Sequence, residues 1–226
     1  IQDTYNFVEQ NSHPRLWRLL ADAALGLLEL DIADKAYVRC GDYQGIEFVR
    51  KLIKLDDQSK QRAELAAYST KFEEAEKLYI EMDRRDLAIT LRGKIGDWFR
   101  VVQHIKAGSG NDAQLKEAWN SIGHYYTDRQ QYDKAILYYV QANNYAQLIH
   151  CYAATDNYTQ LARLIDILND GDPLLPVLGD TFATVGIADC AARAYERGHK
   201  VDEAINVCVR LNQWDLAVSI ANKHNS

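Results

Sequence analysis

The side chains of this chain that could do metal or nucleophilic chemistry include six histidines and four cysteines. Only His150 and Cys151 are adjacent, and neighbours in a helix point about 100° apart, so they are poorly placed to share one metal ion. The sequence contains no C-x2-C or H-x3-H pair, and no Ser or Cys has a nearby His and acid in a recognisable catalytic arrangement. We therefore expect no catalytic site, no bound metal and no cofactor.

Two further patterns have both a chemical and a structural interpretation. Gly108-Ser109-Gly110 resembles part of a phosphate-binding loop, but no strand precedes it and no Lys-Ser or Lys-Thr follows it, so a linker is favoured. Paired acids such as Glu73-Glu74 and Asp202-Glu203 could be acid–base groups. Both pairs open a predicted second helix, where negative charge complements the helix N-terminus. Neither pattern requires an enzyme, and we expect none.

A basic band is the one candidate binding feature. The chain has a net charge of -6, which gives no general attraction to nucleic acid, yet residues 84–106 carry six basic and two acidic side chains. The basic residues are Arg84, Arg85, Arg92, Lys94, Arg100 and Lys106. They could form a dock for an acidic peptide or an anionic lipid headgroup. Alternatively, they solvate helix faces and pair with acids on adjacent hairpins.

The elements that position these residues have helical periodicity throughout, and the clearest unit is a helical hairpin. Apolar and small residues at i, i+3, i+4 and i+7 mark its first helix: Trp119, Ile122, Gly123 and Tyr126. One face of its second helix carries Tyr132, Ala135, Tyr139 and Ala142. The small residues Gly123 and Ala135 let the two backbones approach closely. This spacing is the tetratricopeptide (TPR) pattern, with Gln147 at the position of the usual terminal proline.

Three more copies of the hairpin share this internal spacing. They are Trp17, Leu20, Ala21 and Ala24 with Ala33, Tyr37 and Cys40; Leu175, Leu178, Gly179 and Phe182 with Ala191, Tyr195 and Gly198; and a weaker copy, Ala63 and Ala66 with Phe72, Ala75 and Tyr79. The copies are unevenly spaced. The pattern therefore predicts an all-α fold, a right-handed α-solenoid of irregular TPR-like hairpins with about a dozen helices over residues 1–226. We expect a flexible insert at 107–112 and a stiffer break at Asp170-Gly171-Asp172-Pro173.

Additional helices are predicted where a polar residue that can cap a helix precedes an aromatic residue. Such pairs are Asp42-Tyr43, Asp97-Trp98, Asn144-Tyr145, Asn157-Tyr158 and Gln213-Trp214. The ring is expected to staple each new helix to its neighbour. All four tryptophans, at 17, 98, 119 and 214, are predicted to be core residues rather than binding anchors, because each lies where a hairpin needs a packing ring.

The cysteines and the hydropathy indicate the kind of cellular environment for which the protein is suited. Cys40, Cys151, Cys190 and Cys208 are far apart in apolar helical patterns, as reduced cysteines of a cytosolic protein are, so no disulfide is expected. No run of apolar residues is long enough to cross a membrane, and the first residues do not resemble a signal peptide. Since the sequence starts at Ile1, we expect a segment of a longer chain.

An ordered set of short strings resembles one known family. The strings are Ser12-His13-Pro14-Arg15-Leu16-Trp17, Asp42-Tyr43-Gln44-Gly45-Ile46, Glu81-Met82-Asp83-Arg84-Arg85-Asp86-Leu87-Ala88, Gly96-Asp97-Trp98-Phe99-Arg100-Val101 and Leu211-Asn212-Gln213-Trp214. Together they are similar to the helical part of the propeller-and-solenoid subunits of intraflagellar transport complex A. That family joins N-terminal WD40 propellers to a TPR-like solenoid.

The resemblance implies a scaffold that supports retrograde ciliary transport and the ciliary entry of membrane proteins. It implies other complex A subunits as partners, ciliary membrane cargo or an adaptor as a further partner, and a location in the cilium (axoneme and basal body) and the cytoplasm. It offers no single-residue binding motif. A second hypothesis keeps the fold but makes the segment a coat-like solenoid that contacts vesicle membrane or cargo directly.

Overall fold

A computed structural model describes residues 1–224, apart from the side chain of Ser109. In this range the chain forms sixteen α-helices and no strand, which confirms the predicted all-α solenoid class, with more helices than the expected dozen. The helices are α1 (Gln2–Gln10), α2 (Pro14–Gly26), α3 (Leu30–Cys40), α4 (Tyr43–Ile53), α5 (Gln58–Tyr68), α6 (Phe72–Glu81), α7 (Arg85–Ile95), α8 (Trp98–His104), α9 (Asp112–Thr127), α10 (Tyr132–Ala142), α11 (Tyr145–Ala154), α12 (Tyr158–Ile167), α13 (Leu174–Val185), α14 (Ala188–Arg197), α15 (Val201–Arg210) and α16 (Trp214–His224). A π-helical turn, Ile105–Ser109, follows α8.

The helices divide into two compact units, Ile1–Gly110 and Asn111–Ser226, so the boundary lies inside the predicted insert. In the first unit the closest antiparallel pairs are α2 with α3 and α5 with α6. In the second they are α9 with α10 and α13 with α14. These four pairs contain the four hairpins that share the TPR spacing, and the remaining helices pack mainly on their neighbours in the chain.

Each of the four hairpins is centred on a buried tyrosine of its second helix. These tyrosines are Tyr37, Tyr79, Tyr139 and Tyr195. A small residue faces the ring: a Cβ atom added to Gly123 would lie 2.5 Å from Cε1 of Tyr139, and one added to Gly179 would lie 2.8 Å from Cε1 of Tyr195. Since real Cβ contacts are longer, only glycine fits at these two positions.

The predicted helix starts at polar–aromatic pairs are confirmed. Helices α4, α8, α11, α12 and α16 begin at the aromatic residue of each pair. Asp42 caps α4 by accepting a hydrogen bond from the backbone N–H of Gly45 at 3.1 Å, and Asn144 caps α11 through Gln147 N–H at 3.2 Å.

The core prediction holds for Trp17 and is wrong for Trp214. Trp17 is 2% exposed, and its indole N–H donates to Ser12 Oγ at 2.9 Å. Trp98 and Trp119 are half-buried. Trp214, the first residue of α16, is 58% exposed, and the buried residues of that helix are Ala217 and Ile220.

The predicted break at residues 170–173 separates α12 from α13, and Arg197 at the end of α14 holds it. The Arg197 guanidinium donates to Asp170 Oδ1 at 2.6 Å, to the Leu168 carbonyl at 2.8 Å and to the Ile165 carbonyl. The Arg197 carbonyl in turn accepts from Gly171 N–H at 2.8 Å. One side chain therefore satisfies carbonyls at the C-terminus of α12, which otherwise lack partners.

Arg197→Ala should lower the free energy of unfolding by about 1–3 kcal/mol, because the buried carbonyls lose their donor. The thermal midpoint measured by circular dichroism should fall accordingly. Arg193→Ala is the matched control, because Arg193 lies on the same helix and is exposed. Equal midpoints for the two variants would show that Arg197 does not hold the break.

Candidate protein-interaction site

The structure places all six residues of the basic band on consecutive elements of the first unit. Arg84 precedes α7, Arg85, Arg92 and Lys94 lie on α7, Arg100 lies on α8 and Lys106 lies on the π-helical turn. Lys94 and Lys106 are exposed, and Arg84, Arg85 and Arg100 are half-buried. Arg92 is 5% exposed. The six residues are therefore near one another along the chain but differ widely in access to a partner.

Arg92 is buried in an ion pair with Glu76 of α6, which is also 5% exposed. Its Nε donates to Glu76 Oε2 at 3.0 Å and its Nη2 contacts the same oxygen. Arg100 Nη1 donates to Oε2 at 2.8 Å, and His104 Nε2 contacts Oε1. The carboxylate of Glu76 thus joins α6 to both α7 and α8.

The hydrogen bonds to Glu76 determine its charge state. Burial alone raises the pKa of this carboxyl, but the bonds from Arg92, His104 and Arg100 outweigh burial and hold its pKa below the ordinary value. Glu76 is therefore ionised at neutral pH. The second oxygen of Asp97 adds a weaker contact to Arg92 Nη1, at 3.4 Å.

The other arginines of the band also have partners. Arg84 makes two bonds to the carboxylate of Asp86, at 2.9 and 2.8 Å. Arg85 Nη1 donates to the Ala107 carbonyl at 3.1 Å. The expected pairing with acids of an adjacent hairpin is found for Arg92 and Arg100, which both contact Glu76 of α6, whereas Arg84 pairs with an acid two residues away. Because surface pairs are weak, the exposed members remain able to meet a partner.

The structure also gives the surroundings of the nine predicted repeat positions. Seven are buried: Trp17, Gly123, Ala135, Tyr139, Gly179, Ala191 and Tyr195. Trp119 and Tyr126 are half-buried. These residues pack within hairpins, so they shape the scaffold and offer little surface to a partner.

Sequence reasoning missed the polar partner of each buried tyrosine. The residue fifteen positions earlier accepts or shares a hydrogen bond with the phenol: Tyr37 with Asp22 at 2.7 Å, Tyr79 with Glu64 at 2.9 Å, Tyr195 with Asp180 at 2.5 Å and Tyr139 with His124 at 3.0 Å. The available signal was a polar residue directly after the small residue of each first helix. Burial and the adjacent carboxylate raise the pKa of Tyr37, Tyr79 and Tyr195, so these phenols stay neutral and serve as structural donors.

Metal binding, a reactive thiol and membrane insertion are not favoured by the residues that the structure describes. No group of three His, Cys, Asp or Glu side chains in residues 1–224 could hold a metal ion. Burial raises the pKa of the Cys151 and Cys208 thiols, which disfavours the reactive thiolate. In the same range, the helices fall short of the length and apolar character needed to cross a membrane.

The chain is built from repeated helical hairpins, and its buried polar groups join one helix to another. This arrangement is that of a TPR-like repeat protein of the α-solenoid class. A family model agrees with this class: residues 16–108 match the IFT80/172/WDR35/WDR19 TPR domain. Over its whole length the chain is similar to a segment of WD repeat-containing protein 35.

The relatives are similar over the full length of the chain. WD repeat-containing protein 35 is 47% identical in Rattus norvegicus, 47% in Mus musculus and 48% in Homo sapiens, in each case over 100% of this chain. The chain spans 19% of the length of each relative. These matches are to a scaffold-type TPR domain and not to a known enzyme family.

Proposed function

We propose that this chain is a non-enzymatic scaffold segment of intraflagellar transport complex A, where it binds other subunits of the complex. The observation that carries the proposal is the 47% identity to WD repeat-containing protein 35 over the whole chain. Stacked hairpins support it, because repeat stacks present extended surfaces on which partner helices or peptides lie. In this role the segment supports retrograde ciliary transport and the ciliary entry of membrane proteins, in the axoneme, basal body and cytoplasm.

The exposed part of the basic band is the contact we propose for a complex A subunit. Lys94 and Lys106 are exposed, and Arg84 and Arg100 retain 43% and 40% of their side-chain surface. Arg92 is left out of the contact, because its guanidinium is buried against Glu76. Cations at the rim of an interface act mainly on the association rate and on the choice of partner.

Replacing Lys94 and Lys106 with Glu in the full-length protein should reduce co-purification of complex A subunits several-fold. The reason is that the new carboxylates repel the acidic groups that the lysines would attract on the partner. Neither substitution touches the buried Glu76–Arg92 pair, so folding should be unchanged. The matched control reverses Lys35 and Lys116, two exposed lysines elsewhere in the chain. Retention of every partner by the Lys94/Lys106 variant would exclude this contact.

A coat-like solenoid that contacts vesicle membrane or cargo directly is the competing function, since exposed lysines also attract anionic headgroups. Flotation with phosphatidylserine vesicles separates the two. Binding that disappears at high salt and in the Lys94/Lys106 variant would favour the membrane function. No flotation together with loss of subunits in the pulldown would favour the scaffold.

A further inference from the structure

A second basic surface lies on the first unit, away from the basic band in sequence. Two shallow depressions, of about 820 and 560 Å³, adjoin each other and share Tyr43 and Gln44 in their linings. Their walls come from the start of α2, the α3–α4 turn and the outer side of α4. We call this surface the α4 groove and define it by Arg15, Arg18, Tyr43, Arg50, Lys51 and Lys54.

The charge of the α4 groove is opposite to that of the chain. Its lining holds five cations, the Arg and Lys residues of the definition, and two acids, Asp42 and Glu47, which gives five minus two, or +3. The whole chain carries -6. A concave site that concentrates positive charge attracts negatively charged segments.

Three of the five cations pair with acids, two of which lie outside the lining, but the paired cations stay largely exposed. Arg18 lies 3.7 Å from Asp42 and Arg50 lies 3.4 Å from Asp34, with 68% and 63% of the arginine side chains exposed. Lys51 pairs with Glu64 at 2.6 Å and is 60% exposed. Exposed pairs such as those of Arg18 and Arg50 contribute little to stability, so these two guanidinium groups can turn to another acceptor. Arg15 and Lys54 are exposed as well.

Tyr43 supplies an exposed apolar side chain at the junction of the two depressions. It was expected to staple α4 to its neighbour, but it is 83% exposed, the largest value among the exposed large apolar side chains of the described residues. Phe48 adds an aromatic wall and is held in place by stacking on Tyr68, with ring centroids 4.0 Å apart. An exposed tyrosine among cations is typical of an interface anchor.

A peptide fits this site better than a lipid surface. A membrane is flat and favours an uninterrupted cluster of cations, whereas the α4 groove is concave and has Asp42 and Glu47 between its cations. A peptide can place carboxylates at the cations and avoid the two acids. We propose that the α4 groove binds an acidic peptide segment of a partner protein, with an apolar side chain packed on the Tyr43 ring.

This inference rests on the proposed scaffold function and deepens it, because it gives the chain a second contact surface and names the chemistry of its partner. A fluorescein-labelled peptide of alternating Glu and Leu is the probe, and fluorescence anisotropy measures its binding to the purified chain. Binding should be saturable and should weaken steeply with added salt. A peptide of alternating Lys and Leu should not bind.

Two variants test the residues. Arg15→Glu combined with Lys54→Glu should weaken peptide binding by roughly tenfold or more, and Tyr43→Ala should weaken it by a comparable factor through loss of the apolar contact. The Lys35/Lys116 charge reversal is the control and should bind as the native chain does. All variants should keep the native circular dichroism spectrum, since the altered side chains are exposed.

The outcomes separate this inference from the proposed function. Equal peptide affinity in the groove variants and the control would overturn the α4 groove as the site, even if the pulldown supports the scaffold. If the chain floated with phosphatidylserine vesicles, lost this binding in the Arg15/Lys54 variant and bound no peptide, the ligand would be a lipid surface and the proposed peptide would be wrong. Peptide binding lost only in the groove variants would support the inference, even if the subunit pulldown failed.

Discussion

Glu76→Ala should destabilise the protein by about 3–5 kcal/mol, the largest loss we expect from a single substitution. The change leaves the buried guanidinium of Arg92 with only the weaker contact to Asp97, and a poorly compensated buried charge is costly. It also removes the acceptor that Arg100 and His104 share, so α6, α7 and α8 lose their common polar contact. Urea denaturation followed by circular dichroism measures the effect.

The matched control is Glu73→Ala, on the same helix and close in sequence. Its side chain is 82% exposed and pairs only at the surface with Arg100, so the expected change is within about 0.5 kcal/mol. Replacing both Glu76 and Arg92 with Leu and Met should recover much of the loss, because no charge then remains buried. If Glu76→Ala and Glu73→Ala unfolded at the same urea concentration, the buried pair would not stabilise this unit.

The Glu76 carboxylate should also make the free energy of unfolding depend on pH in the acidic range. The pKa of Glu76 is lowered in the folded state, so the folded protein holds its proton less tightly than the unfolded chain, whose value is about 4.3. The stability from Glu76 is therefore fully present above that value and is lost as the pH falls through the lower folded pKa. Glu76→Gln should flatten this part of the stability–pH curve, whereas Glu73→Gln should leave it steep.

Gly123→Leu should lower the free energy of unfolding by roughly 1–3 kcal/mol through overpacking. The first added atom, Cβ, would lie 2.5 Å from Cε1 of Tyr139, a ring that is 0% exposed and bonded through its hydroxyl to His124. The ring cannot move away without breaking that bond or separating α9 from α10. The urea midpoint should fall, and Gly123→Ala should show a smaller loss of the same sign.

Gly93→Ala is the matched control for this close approach. Gly93 also lies inside a helix, but its added Cβ would be 3.7 Å from Trp98, an ordinary contact. Alanine is the better helix former by up to about 1 kcal/mol, so this variant should be as stable as the native chain or more so. A Gly123→Leu protein with an unchanged midpoint would show that α9 and α10 do not pack as closely as described.

The main hairpins could be predicted from the sequence because their signals are local. The TPR spacing puts packing residues on one face of each helix, and a capping Asp or Asn before an aromatic residue marks further helix starts. The number of helices was harder to predict, because many turns lack glycine. Leu28, Thr70 and Gln130 take positive φ values of 60°, 61° and 57° between the helices of their hairpins, a conformation that their side chains do not signal.

The basic band shows where local reasoning stops. Arg92 and Lys94 are two residues apart and look alike in the sequence, yet Arg92 is buried and Lys94 is exposed. What separates them is Glu76, sixteen residues before Arg92. Tyr43 shows the opposite error, since its ring was expected to pack and is exposed. Whether a side chain is buried depends on what other helices place beside it, as Glu76 shows for Arg92.

By itself, the sequence of this protein determined the helical class, the four repeat hairpins, the absence of catalytic motifs and the family it resembles. Periodicity, capping and small-residue spacing act within one hairpin and can be read from the chain. Only the tertiary structure decided which charges are buried in pairs, such as Glu76 with Arg92, and which remain on a surface, such as those of the α4 groove. The physical reason is that burial and ion pairing depend on contacts between separate helices, and the stacking of the repeats creates those contacts.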